Sequence, residues 1–221
     1  AINHAMTTIS TGGYSTRDSS IGGFASSAIE WVTITGMIAG GLTFMLYLRF
    51  AAGDWGCFFR DTQTRLMIAV IVLAVASLVT MRVIQADADP VGSIRPALFN
   101  VVSVITTTGF VTEDYGLWGP FSPTAFFVLT FLGACAGSTS GGFKMFRLSI
   151  LLRFAVILLN RAISPHRVVV VRYAGRTLED SVALAVLGFA GLWIAVWVAL
   201  ALGLAVTGMD FVAATSSAAT A

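Results

Sequence analysis

The sequence predicts an all-α integral membrane protein that contains a duplicated unit, and three observations support this prediction. Hydrophobic residues make up 57% of the chain and charged residues only 11%, which lies well outside the usual range of soluble domains. Three uncharged runs are each long enough to cross a bilayer core, which needs about 20 residues. These runs are Trp31–Leu48, Tyr115–Phe143 and Ser181–Met209. The third observation is an internal repeat.

The repeat joins two stretches with the same order of polar, glycine and aromatic residues. Asn3–Asp18 aligns without gaps with Phe99–Asp114, so equivalent positions differ by 96 in residue number. Gly13 falls on Gly109 in this alignment. Repetition at a fixed offset indicates a duplicated structural unit. The alternative is a chance match of small residues in two membrane segments.

Each copy contains a short polar loop after an apolar segment. We call Ser10–Tyr14 the first polar loop and Thr106–Phe110 the second polar loop. Threonine is a poor helix former, and glycine readily takes backbone angles denied to other residues, so both stretches favour an extended loop. Such a loop suits a cation selectivity filter, in which carbonyl oxygens replace the water shell of the ion. The alternative is that these small residues only allow helices to pack closely.

The expected ligands in both loops are backbone carbonyls and hydroxyls, which are hard and neutral oxygen donors. They suit a weakly hydrated monovalent cation, whereas a Ca²⁺ or Mg²⁺ site would need several carboxylates. A helix that ends at each loop would add a partial negative charge. The candidate ligand residues are Ser10, Thr11, Gly12, Gly13, Thr106, Thr107, Thr108 and Gly109.

The chain between the two loops is predicted to cross the membrane twice. Residues 1–50 should contain the end of a short helix, the first polar loop and a membrane helix over about Ser27–Phe50. Residues 51–63 form a short polar connection. The returning membrane helix is expected over about Thr64–Ile84, because Arg82 can snorkel to the interface and extend an otherwise short apolar run.

A second short helix should precede the second polar loop. Ser93 is a plausible N-cap and Pro96 would lie in the first turn, which predicts a helix over Ile94–Ile105. This helix is too short to span the membrane and fits a re-entrant segment covered by protein. After the loop, Ser122 and Pro123 should open the next helix.

That next helix should break, because residues 133–142 contain four glycines at membrane depth. We call Gly137–Gly142 the glycine loop. A phosphate-binding loop would need lysine where Phe143 stands, and a nucleophile elbow would need serine where Thr139 stands. The favoured hypothesis is a movable gate across a pore, and a passive kink is the alternative. The candidate gate residues are Gly137, Ser138, Thr139, Ser140, Gly141, Gly142 and Lys144.

Lys144 has three possible roles beside this loop. It could repel cations, cap the carbonyls of the loop, or extend to the membrane interface. An intramembrane enzyme that uses Ser138, Thr139 or Ser140 as a nucleophile is disfavoured, because the sequence offers only Lys144 as a nearby acid or base. The chain is therefore not expected to be an enzyme.

The last part of the chain should start with a basic loop. Helix is expected to resume at Phe143 and to reach about Leu159, followed by a basic loop over residues 161–177. A long helix over Ser181–Val206 and a short one over Phe211–Ala221 complete the predicted elements.

Basic residues set the predicted orientation. Ten of the 13 Lys and Arg residues should lie on one side of the membrane, which is therefore predicted to be cytoplasmic. Both polar loops would then face outward, within a rim that holds most of the acids. The ten residues are Arg49, Arg60, Arg65, Lys144, Arg147, Arg153, Arg161, Arg167, Arg172 and Arg176.

Cysteine and histidine suggest no further chemistry. Cys57 and Cys135 form no disulfide framework or metal-ligand spacing, and His4 and His166 are isolated. His4 is interpreted as a pore-helix residue and His166 as a loop residue. No organic cofactor and no nucleic-acid partner are expected. The chain is expected to contact membrane lipid.

The two polar loops and the stretch from Gly133 to Arg147 resemble the Trk/Ktr/HKT superfamily of potassium transport proteins, most closely the bacterial TrkH-type membrane subunits. The resemblance implies four repeats of helix, pore helix, filter loop and helix around one pseudo-fourfold pore. Gly13 and Gly109 match the key filter glycines, and Gly137–Gly142 matches a gating loop in the third repeat. Glycine in both filters favours potassium over sodium, and the alternative is a sodium-permeable relative.

The resemblance also implies a division of the chain, which would be a fragment without the first repeat and the last filter. It implies a homodimer in the bacterial inner membrane, a cytoplasmic nucleotide-binding regulatory subunit and K⁺ as the transported ion. A non-conducting membrane scaffold is the alternative from another class. The implied division is the end of the second repeat (residues 1–50), a cytoplasmic loop (51–63), the third repeat (64–160), a basic cytoplasmic loop (161–177) and the start of the fourth repeat (178–221).

Overall fold

Helices dominate the computed structural model of the protein, and the described strands are two pairs of two-residue strands. The chain divides into two compact units, Ala1–Met145 and Phe146–Ala221. The structure describes residues 1–86, 88–163, 172–173, 176–177 and 180–220.

The first unit begins with a short helix and a sharply bent helix pair. Helix α1 covers Ile2–Ile9 and ends at the first polar loop. Helix α2 covers Ser27–Gly41, and helix α3 covers Phe44–Ala51 at 95° to it. The prediction of one continuous helix over Ser27–Phe50 was therefore wrong.

The bend has a local cause and a tertiary cause. Gly40 and Gly41 are weak helix formers, and the two residues that follow have extended backbone angles. A side chain at Gly40 would also approach the carbonyl oxygen of Ile9 to 2.7 Å. Glycine at this position lets α2 pack against α1 and leaves the helix free to end.

The connection to the next helix is partly helical rather than a simple loop. Helix α4 covers Cys57–Arg60, and helix α5 covers Thr62–Ala86. The predicted 51–63 connection therefore contains one helical turn and the start of α5. Asp61 accepts hydrogen bonds from the backbone N–H and the hydroxyl of Thr64. These bonds satisfy an otherwise unpaired amide at the start of α5.

Helix α6 precedes the second polar loop and covers Pro90–Ile105. It starts four residues before the predicted Ile94, because Asp89 and not Ser93 is the N-cap. The Asp89 carboxylate accepts from the Gly92 N–H at 2.7 Å, and Pro90 occupies the first helical position. Ser93 lies buried inside the helix.

The break predicted after α6 and the second polar loop is present. Helix α7 covers only Phe121–Thr130, and helix α8 starts at Met145 and runs to Ile163. Between them, β1 (Leu132–Gly133) pairs in parallel with β2 (Phe143–Lys144). A side chain at Gly133 would overlap the Gly141 carbonyl oxygen, so the close return of the chain requires glycine there.

The second unit packs α8 against a long helix. Strands β3 (Arg172–Tyr173) and β4 (Arg176–Thr177) form an antiparallel pair. Helix α9 covers Asp180–Val206 and helix α10 covers Phe211–Thr220. The core of this unit contains Ile150, Ala183 and Val186.

The basic segment predicted over residues 161–177 is only partly described. Residues 161–163 belong to α8, so the helix ends later than the predicted Leu159. His166 and Arg167 lie outside the described residues.

Two of the described helices are long and apolar enough to cross a membrane, at Thr62–Gln85 and Ser181–Val206. The bent pair of α2 and α3 adds a third span if it is counted as one. The uncharged run Tyr115–Phe143 contains the ten-residue α7 and the break instead of one long helix. With their length and apolar character, these helices establish an integral membrane protein of the helical class.

Candidate cation-binding loops

Equivalent hydrogen bonds join each polar loop to the end of the helix that precedes it. The Gly12 N–H donates to the Thr7 carbonyl at 2.8 Å, and the Thr108 N–H donates to the Ser103 carbonyl at 2.8 Å. These two bonds are offset by the same 96 residues as the sequence repeat. Each closes the C-terminal turn of a short helix, where the partial negative charge of the helix lies.

The backbone of the two loops alternates in the same way. Thr11 and Thr107 have φ angles of 51° and 56°, and Gly13 and Gly109 have φ angles of 66° and 82°. A left-handed conformation costs a non-glycine residue about 1–2 kcal/mol. Strained threonines at equivalent positions indicate that the surrounding structure imposes one backbone path on both loops.

This path leaves oxygen atoms available in the loops. Among the described residues, the carbonyl oxygens of Thr107, Thr108 and Gly109 accept no hydrogen bond. Thr106 is different, because its buried hydroxyl donates to the Val102 carbonyl and contacts the Thr108 hydroxyl at 2.8 Å. The Thr106 side chain therefore connects the second polar loop to helix α6.

A hydroxyl on the preceding helix contacts the carbonyl of the last residue of each polar loop. The Thr7 hydroxyl has the Tyr14 and Asn3 carbonyls as acceptors, each at 3.0 Å, and the Ser103 hydroxyl donates to the Phe110 carbonyl at 2.7 Å. Phe110 is buried, whereas Tyr14 is 76% exposed. The same brace therefore lies in a dry environment in the second copy and near the surface in the first.

His4 and Asn100 occupy equivalent helix positions and make a second brace that the sequence reasoning missed. His4 Nε2 lies 3.0 Å from the Ser15 hydroxyl, and the Asn100 amide donates to the Thr112 hydroxyl at 3.2 Å. Their offset of 96 residues was the available signal. His4 lies on helix α1.

The two loops lie directly against each other. A side chain at Gly13 would overlap the carbonyl oxygen of Thr108. Beyond this contact, the Gly22 N–H donates to the Val111 carbonyl at 3.1 Å. Gly109 differs from Gly13, because a Cβ atom at Gly109 would meet no atom within 4 Å. The predicted ligand residues of the two copies are thus brought together.

The open side of the two loops forms a cavity of about 780 Å³ with an acidic rim. Asp18, Glu113 and Asp114 line it together with Arg17. Arg17 donates to the Gly23 carbonyl and lies over the Phe24 ring. The rim holds three acids and one arginine, and Glu113 also pairs with Arg82 at 3.5 Å, so one negative charge in excess remains to favour cations.

The glycine loop contacts both polar loops. The Thr139 hydroxyl lies 3.1 Å from the Thr11 hydroxyl, and the Gly141 N–H donates to the Thr107 hydroxyl at 2.7 Å. The Lys144 ammonium donates to the carbonyl and the hydroxyl of Ser140. Of the three roles considered for Lys144, the structure thus shows a contact that caps a loop carbonyl.

The bend between α2 and α3 contacts the segment that precedes the glycine loop. The Cys135 N–H donates to the Gly41 carbonyl at 3.1 Å, and the Thr43 hydroxyl donates to the Ala136 carbonyl at 2.8 Å. On α5, the Gln63 side chain accepts from the Ala136 N–H at 2.8 Å. The sequence reasoning missed Thr43 and Gln63, since it did not predict the bend.

The long apolar helices define an integral membrane protein of the helical class. The chain matches the family described as TrkH, cation transport protein, over residues 1–221, and it belongs to this family.

Individual relatives agree with this assignment. The chain is 39% identical over 222 residues to the Trk system potassium uptake protein TrkI of Halomonas elongata, an alignment that covers 100% of this chain and 45% of that protein. It is 32% identical over 212 residues to the Trk system potassium uptake protein TrkH of Escherichia coli K12, with 95% and 44% covered. The chain thus spans less than half the length of these relatives.

The fold also matches a solved structure. The crystal structure of the potassium transporter TrkH from Vibrio parahaemolyticus superposes with a TM-score of 0.94 at 34% sequence identity. The match covers 99% of this chain and 48% of that one.

Proposed function

We propose that this chain supplies two filter loops and a gate to a pore for potassium uptake across the bacterial inner membrane. The observation that carries the proposal is the recurrence of a helix end, a strained threonine and a glycine with positive φ in two loops that touch each other. One such loop would be an ordinary helix terminus. Two equivalent loops side by side suit a shared cation path.

The chemistry of the loops favours a large monovalent cation. The free oxygens offered by Thr107, Thr108 and Gly109 are neutral, and no carboxylate lines the loops themselves. Neutral oxygens replace the hydration shell of K⁺ without holding it so strongly that it fails to leave. The acidic rim would raise the local cation concentration at the entrance.

The remaining parts of the proposal concern arrangement and regulation. We assign residues 1–50 and 64–160 to two pore repeats and residues 178–221 to the start of another around a pseudo-fourfold pore. The polar loops would face outward and the basic segments, including residues 51–63 and 161–177, the cytoplasm. The glycine loop with Lys144 would act as the gate. A homodimer and a cytoplasmic nucleotide-binding regulatory subunit complete the proposed assembly.

The test is ion flux into proteoliposomes that contain the protein as its natural gene encodes it. We expect rubidium flux to exceed sodium flux, and we expect Gly109→Ser to reduce this ratio roughly fivefold, the effect of about 1 kcal/mol. Serine fits the open space beside Gly109 and adds only the backbone strain of a positive φ, about 1–2 kcal/mol, so the change should alter the filter without unfolding it.

Gly53→Ser is the matched control, because Gly53 also has a positive φ, 98°, and open space around it but lies between α3 and α4. This variant should keep the wild-type flux ratio. Sodium flux equal to or above rubidium flux would support a sodium-permeable relative. Absence of flux in every protein would support a scaffold, and the polar loops would then serve packing.

A further inference from the structure

We propose that Thr139 is a positioning residue that ties the glycine loop to the first polar loop, so that gate opening and ion selection are coupled. This inference rests on the proposed function, since it describes how the proposed gate acts on the proposed filter. Thr11 and Thr107 both have left-handed backbone angles.

Both strained threonines use their hydroxyls on the glycine loop. The Thr11 hydroxyl lies 3.1 Å from the Thr139 hydroxyl, and the Thr107 hydroxyl accepts from the Gly141 N–H at 2.7 Å. Thr11 and Thr107 are equivalent positions of the repeat, 96 residues apart. The glycine loop therefore contacts the same point of each polar loop, although it belongs to only one copy.

Thr139 makes the larger set of contacts. Its hydroxyl lies 3.0 Å from the Ile9 carbonyl and 3.2 Å from the Gly40 carbonyl, in addition to the Thr11 hydroxyl. A hydroxyl has one proton, so Thr139 donates to one of these carbonyls and can accept from Thr11, whose own proton also has the Ser10 carbonyl within reach at 2.8 Å. The three partners lie at the end of α1, at the bend after α2 and in the first polar loop.

Neighbouring hydroxyls of the glycine loop do not make this link. The Ser138 hydroxyl donates to the Cys135 carbonyl at 2.7 Å and contacts the Ser140 hydroxyl at 3.0 Å. The Ser140 hydroxyl accepts from the Ala134 N–H at 3.2 Å. These bonds stay within the break between α7 and α8. Among the described hydroxyls of the glycine loop, that of Thr139 is therefore the one that contacts the first copy.

Displacement of the glycine loop must break the bonds to Thr11 and Thr107 together. A left-handed threonine persists only where its surroundings fix it, so both polar loops lose part of that support when the loop moves. Opening would then change the filter as well as the path beneath it. The open and closed states should therefore differ in ion selectivity.

Thr139→Val tests this coupling, because valine keeps the shape of threonine and removes the hydroxyl. We expect rubidium flux through proteoliposomes to rise about fivefold, which corresponds to the loss of one hydrogen bond of ordinary net strength. The rubidium-to-sodium flux ratio should fall in the same variant. Thr139→Ser restores the hydroxyl and should return both values to the wild-type level.

Thr130→Val is the matched control, because the Thr130 hydroxyl donates to the Phe126 carbonyl within its own helix α7. It should leave both readouts unchanged. A merely structural role of Thr139 would alter flux without altering the ratio, and that result would overturn the coupling. So would wild-type behaviour of Thr139→Val.

Failure of the inference is distinguishable from failure of the proposed function. Selective wild-type flux with an unaffected Thr139→Val variant removes only the coupling. If the wild-type protein does not conduct, amide hydrogen exchange in residues 137–142 still measures how firmly the glycine loop is held. Faster exchange in Thr139→Val than in wild type and Thr139→Ser supports the tie, and equal exchange in all three overturns it.

Discussion

The two copies of the repeat agree in their helix ends and loops and differ below them. In both copies a short helix ends with the same hydrogen bonds and leads to a threonine and a glycine with positive φ. After the loops, the first copy turns by 95° between Gly41 and Phe44. The second copy instead separates Thr130 from Met145 by a strand pair and the glycine loop.

One copy supplies structural support for the other. The bend of the first copy ends α2 early, so the carbonyls of Gly40 and Gly41 lack their usual helical donors. Amides of the second copy, at Thr139 and Cys135, contact these carbonyls. Hydrogen bonds therefore connect the bend of the first copy with the break of the second copy. A protein with two identical copies would lack this connection.

The largest expected effect comes from the contact between the two loops. Gly13→Ala should prevent correct folding of both loops and abolish rubidium flux, because the new Cβ atom would overlap the Thr108 carbonyl oxygen. Gly109→Ala should keep the fold, since the space beside Gly109 is open and only backbone strain of about 1–2 kcal/mol is added. Thermal unfolding in detergent, together with flux, measures both effects.

Gly53→Ala supplies the reference for backbone strain alone, as its φ angle is also positive and no atom lies within 4 Å of its Cβ position. Gly109→Ala should unfold near the temperature of this control. If Gly13→Ala also unfolded there, the contact between the copies would be disproved.

A smaller effect should separate the two hydroxyl braces. Ser103→Ala leaves the carbonyl of the buried Phe110 without its donor, which should cost about 1–3 kcal/mol of unfolding free energy. Thr7→Val removes the equivalent bond to Tyr14, which is 76% exposed, so water can replace the donor at a cost below about 1 kcal/mol. Denaturation of both variants in the same detergent compares them directly. Equal losses would contradict the assigned difference in burial.

The smallest expected effect concerns Lys144, which belongs to the second copy. Lys144→Met removes the donor to the Ser140 carbonyl and hydroxyl, and Lys144→Arg keeps a donor. We expect stability to change by less than about 1 kcal/mol, because Lys144 is only half-buried and water can reach the site.

Rubidium flux should rise in Lys144→Met by at most roughly fivefold and stay near wild type in Lys144→Arg. Arg147→Met is the control for charge, since Arg147 lies over the Phe189 ring in the second unit. A rise of the same size in Arg147→Met would show that charge, and not the cap on the glycine loop, controls the flux.

Much of the second copy was predictable from local sequence, and less of the first. Four glycines within residues 133–142 predicted the break, which the structure contains. Gly40 and Gly41 alone gave too weak a signal against a long apolar run, and the bend was missed. Asp89 was overlooked as the N-cap because Ser93 stood nearer to the apolar segment, although Pro90 marked the earlier start.

The membrane class, the duplicated stretch and the positions of the polar loops were predictable from the amino-acid sequence. These properties follow from composition, from runs of apolar residues and from repetition, which are read along the chain. The folded structure was needed to show that Gly13 meets Thr108, that the bend supports the glycine loop and that Thr139 reaches Thr11. The reason is physical: Thr11 and Thr139 are 128 positions apart, and no local pattern encodes a contact between chain segments that folding alone brings together.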